Sequence, residues 1–450
     1  MIRNGFGSVL LAAWIACALA APGALGAEDA VREAAALHRA GRVDEARALL
    51  EARIAEVPDD IEAHLAYVHL RAAAGERETV RQEYERLVLK DPSNPAVRLA
   101  RVVLLGRSQL KSEGFDDLLA ENPGFARAWE EYGRSLLEGF QFLAAEEALR
   151  RAVELDPERA MARLYLGLVH RTRARGGEEE AEVREAHRLD PGSLPVRLEL
   201  GTTLAYAGDL AEAKGVLDEL LRETPEDAEA LAILALVEER LGRKEEAARL
   251  RERVHAIDPR LPGKLLYLGI QHRSVPEKQA AKRFLELAIF LDSVHVEAFV
   301  QLGLIYRMEN DPAGAIPFYE TAGRLDERNQ LAWRNLGMCY RDLGDGEKAE
   351  LYVRRAIEVD PDYLHGWIDY ANILQKRGKY AEAVDAWKRV NEMAPYGWEG
   401  YEARRAISYL ERGEPVPEEE PQTWRTEEVG SAIHQKKGKE VPARPTDETR

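Results

Sequence analysis

A period of 34 residues runs through most of this 450-residue chain and constrains its fold more than any other feature. It is marked by prolines, and only one step differs, at 31 residues between Pro92 and Pro123; Ser293 and Glu327 keep the register where the proline is absent. The marking prolines are Pro58, Pro92, Pro123, Pro157, Pro191, Pro225, Pro259, Pro361 and Pro395. A period of this length predicts a stack of small units, each of which buries its apolar face only against its neighbours.

Small residues recur in the same register. One set of Gly or Ala is Gly133, Gly167, Gly201, Ala235, Gly269, Gly303, Gly337 and Ala371, and a second set is Ala145, Ala213, Ala247, Ala281, Ala315, Ala349 and Ala383. Apolar residues surround both sets at the spacing of a helix face. Each unit is therefore predicted to be two amphipathic helices of about three turns that approach closely at the small residues. The proline ends the second helix because it lacks an N–H and disfavours helix before it.

The unit AWRNLGMCYRDLGDGEKAELYVRRAIEVDP resembles the tetratricopeptide repeat family, whose pattern is W-x2-L-G-x2-Y followed by phased alanines and a proline. The resemblance covers residues 28–397 as about eleven repeats, with a closing helix over 398–412. It implies an all-α, right-handed superhelical solenoid of antiparallel helix pairs whose first helices line a concave groove that binds protein segments.

Two stretches depart from the pattern. The unit over 95–125 is three residues short and has no alanine at the second-helix position. In the unit over 160–193, Glu179 occupies the alanine position and Gly176 and Gly177 open the second helix. We expect local bends or loose packing in both units.

The two ends of the chain differ from the repeats in composition. Residues 1–27 carry one cation, Arg3, before the uncharged apolar run 6–21, which predicts a secretory signal peptide and an exported, periplasmic protein. An uncleaved signal acting as an anchor, or a lipid on Cys17, remains an alternative. Residues 413–450 are charged, rich in proline and poor in apolar residues, which predicts a disordered tail.

Composition and motifs argue against catalysis. The chain has 63 Lys and Arg against 80 Asp and Glu, and this acidity disfavours nucleic-acid binding. No phosphate-binding, dinucleotide-binding, zinc-protease or serine-hydrolase motif occurs. His170 and His272 fall at packing positions of the repeat, and Cys339 lies in a first helix, so we interpret all three as core residues. We therefore predict that the protein is not an enzyme and has no catalytic residue, metal ion or cofactor.

A second stripe on the first helices is the one predicted binding feature. Packing uses repeat positions 4, 7, 8 and 11, and the groove stripe then uses positions 2, 5, 9 and 12. In the last four repeats that stripe is apolar and cationic, which suits acidic segments with apolar anchors. Its residues are Leu266, Ile270, Arg273, Val300, Leu304, Arg307, Leu331, Arg334, Met338, Arg341 and Ile368, and Asn372 and Lys376 follow in the last repeat. The competing interpretation is that the arginines bridge acidic residues of neighbouring repeats.

These features together predict a non-catalytic scaffold of the bacterial envelope that binds protein segments as a monomer or weak oligomer. Similar exported repeat proteins assist secretion, pilus or polysaccharide export machinery. Two other functions stay open: a non-catalytic subunit of an envelope enzyme complex, such as one with a glycosyltransferase, and a self-assembling structural protein.

Overall fold

The computed structural model of the protein describes residues 27–105, 109–173, 175–273 and 278–417. These residues form 23 α-helices and no strand, arranged as eleven successive helix pairs followed by one closing helix. The predicted all-α fold of eleven helix pairs is thereby confirmed. Most of the predicted signal peptide and of the predicted tail lies outside the described residues.

Helix contacts divide the chain into two compact units, between Glu327 and Arg328. We number the repeats 1 to 11 in chain order, so that repeat 1 is α1 and α2, and we call the odd-numbered helices first helices. The unit up to Glu327 contains α1 (Ala27–Arg39), α2 (Val43–Glu56), α3 (Ile61–Ala73), α4 (Arg77–Lys90), α5 (Pro95–Leu104), α6 (Gln109–Glu121), α7 (Ala126–Glu138), α8 (Phe142–Leu155), α9 (Ala160–Thr172), α10 (Gly176–Leu189), α11 (Leu194–Ala207), α12 (Leu210–Glu223), α13 (Ala228–Arg240), α14 (Lys244–Ile257), α15 (Leu261–His272), α16 (Gln279–Leu291), α17 (Val296–Met308) and α18 (Pro312–Leu325). The unit from Arg328 contains α19 (Gln330–Asp342), α20 (Gly346–Val359), α21 (Leu364–Lys376), α22 (Tyr380–Met393) and the closing helix α23 (Trp398–Leu410).

The phased small residues set the distance between the two helices of a pair. A Cβ atom placed on Gly337 would lie 2.5 Å from Cγ2 of Val353 and 3.0 Å from the backbone oxygen of Ala349. The second helix therefore packs directly on the glycine backbone of the first. Ala349 and Val353 are fully buried as a result.

Repeat 3 keeps this close contact by exchanging its partners. Helix α5 has only ten residues, and Val102 stands where most other first helices carry Gly or Ala. The small residue lies instead on α6, where a Cβ on Gly114 would lie 3.1 Å from Cγ2 of Val102. The missing alanine is thus compensated by a glycine on the opposite helix.

Buried glutamates join consecutive repeats at two equivalent places. Glu146 and Glu350, six repeat periods apart, are 6% and 3% exposed, and each carboxylate is paired with three cations. The cations are Arg150, Arg173 and Arg175 around Glu146, and Arg354, Arg377 and Lys379 around Glu350. In each set one cation lies on the same helix as the glutamate and two follow the next first helix, so the cluster ties neighbouring repeats together.

Candidate functional site

The apolar part of the predicted stripe is mostly covered in the unit up to Glu327. Val300 is 4% exposed, and Leu266, Ile270 and Leu304 are half-buried. Leu266 packs against the main hydrophobic cluster of this unit. These side chains therefore belong largely to the core and leave little apolar surface for an open groove.

The cations of this unit are also engaged or partly covered. Arg273 follows α15 and donates a hydrogen bond to Oε1 of Gln301 on the next first helix. Arg307, at the same repeat position one period later, is half-buried. The Arg273 contact is of the kind expected if the arginines join neighbouring repeats.

In the unit from Arg328, the stripe is more accessible at both ends. Leu331 is 42% exposed near the start of α19, and Lys376 is exposed at the end of α21. Lys376 has no ion-pair partner in the described part of this unit. Asn372 is half-buried, whereas Met338 is only 5% exposed and packs in the core.

The two arginines of this unit differ. Nε of Arg334 lies 2.5 Å from Oδ2 of Asp369 on the following first helix, so Arg334 joins repeats 10 and 11. Arg341 pairs with the adjacent Asp342 at 2.6 Å, and about a third of each side chain remains exposed. Arg341 is therefore more available to a partner than Arg334, because an exposed ion pair is weak.

The same stripe in repeat 4 forms a buried ionic network that sequence reasoning missed. Arg127, Glu130 and Arg134 occupy positions 2, 5 and 9 of α7 and are 5%, 2% and 6% exposed. Arg127 pairs with Glu130 at 2.6 Å and, two repeats back, with Glu62 at 2.9 Å. The repeat register, extended to repeat 4, identifies these charged residues as one stripe, but only the structure shows that the stripe is buried.

Repeat 5 continues this pattern. Arg171 occupies position 12, the position of Arg273, Arg307 and Arg341, but it is 8% exposed. Its Nε lies 2.8 Å from Oε1 of Glu179, the residue that replaces the repeat alanine. At this position the arginine is structural.

The histidines and the cysteine lie where the sequence places them. His170, His272 and Cys339 are buried. Burial, together with a smaller effect of the nearby Arg171 cation, lowers the pKa of His272 to about 4. The described residues contain no cluster of His, Cys, Asp or Glu that could hold a metal ion.

One surface cleft of about 650 Å³ lies beside Trp129 and the exposed Leu143. Four arginines and three glutamates line it, including Glu146 with its three cations. The arginines are thus largely neutralised, and the cleft offers no concentrated positive charge.

None of the helices in the described ranges is both long and apolar enough to cross a lipid bilayer.

Comparison with known proteins gives one family. Sequence profiles described as tetratricopeptide repeat match residues 37–102, 141–193, 198–262 and 331–363. No curated protein matched. Two crystal structures of MamA are similar to part of this chain, at 25% and 24% identity and a TM-score of 0.23 each. They cover 36% and 37% of this chain and 95% and 92% of their own.

The match over 331–363 coincides with the helix pair α19 and α20, and the close helix contacts fall at the phased small residues of the repeat. Members of this family generally act as non-catalytic scaffolds for protein–protein interaction. The chain therefore contains tetratricopeptide repeats.

Proposed function

We propose that the protein is a scaffold exported to the bacterial envelope, where it binds partner segments along the first helices α19 and α21. The segments it suits are acidic and carry apolar anchors. In the cell it would serve the assembly of a secretion, pilus or polysaccharide export machine. The export step rests on the signal-like residues 1–27, which are almost entirely outside the described residues.

The observation that carries the binding site is the accessible stripe in the unit from Arg328. Leu331 offers an exposed apolar side chain, and Arg341 and Lys376 offer cations at the other end of the same two helices. A carboxylate that replaces the exposed Asp342 contact of Arg341 loses little, since surface ion pairs contribute at most about 1 kcal/mol.

The charge of this unit supports an acidic partner. Residues 328–417 contain 14 Lys and Arg against 15 Asp and Glu, whereas the whole chain has 63 against 80. The general acidity of the chain therefore lies elsewhere in the sequence. An acidic segment approaching this unit meets less repulsion than the net charge of −17 suggests.

Site-specific photocrosslinking tests the proposed surface. A benzophenone amino acid at Leu331 should crosslink a partner in the envelope fraction, and the crosslink should weaken at least tenfold when Arg341 and Lys376 are both replaced by Ala. The matched control is the same probe at Leu351, which is 57% exposed on the outer face of α20 in the same unit. Equal crosslinking from both positions, or a crosslink that survives the double replacement with helical content unchanged, would refute the surface.

Export is tested separately, since binding does not depend on it. A fusion of residues 1–27 to a reporter that is active only in the periplasm should give activity, and deletion of those residues from the full chain should retain the protein in the cytoplasm. Native mass measurement across concentrations checks the expected monomer or weak oligomer.

A further inference from the structure

The regular stacking of repeats breaks between repeats 7 and 8. Elsewhere in the unit up to Glu327, most second helices pack extensively against the first helix that follows, as α12 does against α13. Helices α14 and α15 make few such contacts. Instead α16, the second helix of repeat 8, packs against the first helices α9 and α13 of repeats 5 and 7.

The outer face of α16 is buried as a consequence. Ala280 and Leu287 are 1% and 6% exposed, and only 14% of the Arg283 side chain is accessible. The equivalent residues two repeats later are Lys348, Leu351 and Arg355, which are all exposed on α20. The outer face of α16 is therefore buried against other helices, whereas the outer face of α20 faces solvent.

Arg283 makes the specific contacts of this face. Its Nη1 lies 2.8 and 3.1 Å from the two carboxylate oxygens of Glu179, which is fully buried on α10. Its guanidinium lies 4.8 Å from the ring centre of Tyr206, and the Tyr206 hydroxyl donates a hydrogen bond of 3.0 Å to the backbone oxygen of Arg283. These contacts join residues that are up to 104 positions apart in sequence.

The surface that receives α16 is already shaped around Glu179. The same carboxylate accepts hydrogen bonds from Arg171 at 2.8 Å and from the hydroxyl of Thr203 at 3.1 Å. We call the surface formed by α9, α10, α11 and α13 around Glu179, Thr203 and Tyr206 the Glu179 surface. It combines a buried carboxylate and an aromatic ring.

We propose that the Glu179 surface is a receptor for an amphipathic helix and that α16 occupies it as a built-in ligand. Ala280, Arg283 and Leu287 have the spacing i, i+3 and i+7 and lie on one helix face. A partner helix that presents a small residue, an arginine and a leucine at this spacing competes with α16 for the surface. The buried Glu179 carboxylate favours the arginine, because a cation at this point pairs with the carboxylate alongside Arg171. This proposal rests on the scaffold function but concerns neither α19 and α21 nor export.

The test uses the full-length protein and a labelled synthetic peptide of residues 278–292. The variant Arg283→Ala with Leu287→Ala weakens the docking of α16 and keeps Ala281, Leu285 and Ala288, which bind it to α15. This variant should bind the peptide at least tenfold more tightly than the wild type does. A peptide carrying the same two replacements should not bind. The matched control is Leu351→Ala with Arg355→Ala, at the equivalent exposed positions of α20, and it should bind like the wild type.

Hydrogen exchange gives an independent readout. The double variant should expose amides of α9 and α13, and the peptide should restore their protection. Glu179→Gln, which removes the charge with little change in size, should lower the affinity of the peptide for the double variant. If α9 and α13 stay as protected as in the wild type, α16 is not the occupant. If they are exposed and the peptide still does not bind, the surface is not a helix receptor.

Discussion

Replacing Glu179 by Ala tests whether helix propensity or buried ion pairing dominates the stability of repeat 5. Eight other repeats carry Ala at this position, so the replacement restores the family pattern. Local reasoning predicts a neutral or slightly stabilising change, since Ala exceeds Glu in helix propensity by only a few tenths of a kcal/mol. The tertiary structure predicts the opposite, because the replacement removes the shared partner of Arg171 and Arg283.

The magnitude follows from the burial of the three groups. The Glu179 side chain is fully buried, and those of Arg171 and Arg283 are 9% and 14% exposed. Removing one partner of a buried ion pair costs about 3–5 kcal/mol, because the remaining charge stays desolvated. Arg171 keeps a contact of 2.7 Å with Glu199, so we expect the lower end of that range.

Hydrogen exchange and urea unfolding measure this change. A loss of about 3 kcal/mol corresponds to roughly a hundredfold faster exchange of amides that open locally. It should appear in α9, α10 and α16. The control is Glu245→Ala on the exposed surface of α14, which should change neither measurement. A variant Glu179→Ala that is as stable as the wild type, or more stable, would refute the reasoning.

The pH dependence of this loss has a definite sign. Burial raises the pKa of Glu179, but Arg171 and Arg283 lower it by more, so the net pKa lies below the ordinary value of 4.5. A carboxylate with a depressed pKa in the folded state contributes stability above its unfolded pKa and loses it as the pH falls further. The difference between wild type and variant should therefore be full at neutral pH and shrink below about pH 4.5.

Two further predictions concern packing and protonation. Gly337→Ala should lower the free energy of unfolding by about 1–3 kcal/mol, because its Cβ would overlap Val353 and the second-helix backbone; Gly215→Ala on α12, where a Cβ meets no atom within 4 Å, should instead be neutral or stabilising by up to about 1 kcal/mol in the same urea titration. His272 has a pKa of about 4 in the folded state, below its ordinary value of 6.5, so its stabilising contribution should be lost as the pH falls between those values. His272→Phe should flatten that part of the stability curve, and an unchanged slope between pH 6.5 and 4 would contradict this assignment.

For much of the candidate site, the sequence predicted only the repeat position of each residue and not its contacts. The spacing assigns Arg273, Arg334 and Arg341 to one predicted helical stripe, but the contacts of the three side chains differ. Arg334 pairs with Asp369, Arg273 contacts Gln301, and Arg341 pairs with the adjacent Asp342. Spacing along one helix places a side chain on a face, whereas its partner comes from a different helix whose position depends on packing.

The sequence by itself determined the helix pairs. Each close contact depends on residues within one repeat, such as Gly337 against Val353, and such short-range contacts are read from a local pattern. Eleven pairs and a closing helix follow from repetition of that pattern. Because neighbouring repeats bury each other's apolar faces, the register alone predicts a stack.

Only the tertiary structure decided that α16 of repeat 8 packs against repeats 5 and 7. The sequence shows Glu179 as a missing alanine and Arg283 as one more charged residue on a second helix. The structure brings them to 2.8 Å across 104 positions, because α16 packs on α9 and α13 rather than leaving its outer face in water. No periodic pattern encodes that contact, since it depends on the summed geometry of the intervening repeats, where small differences in packing accumulate into the position of the next helix.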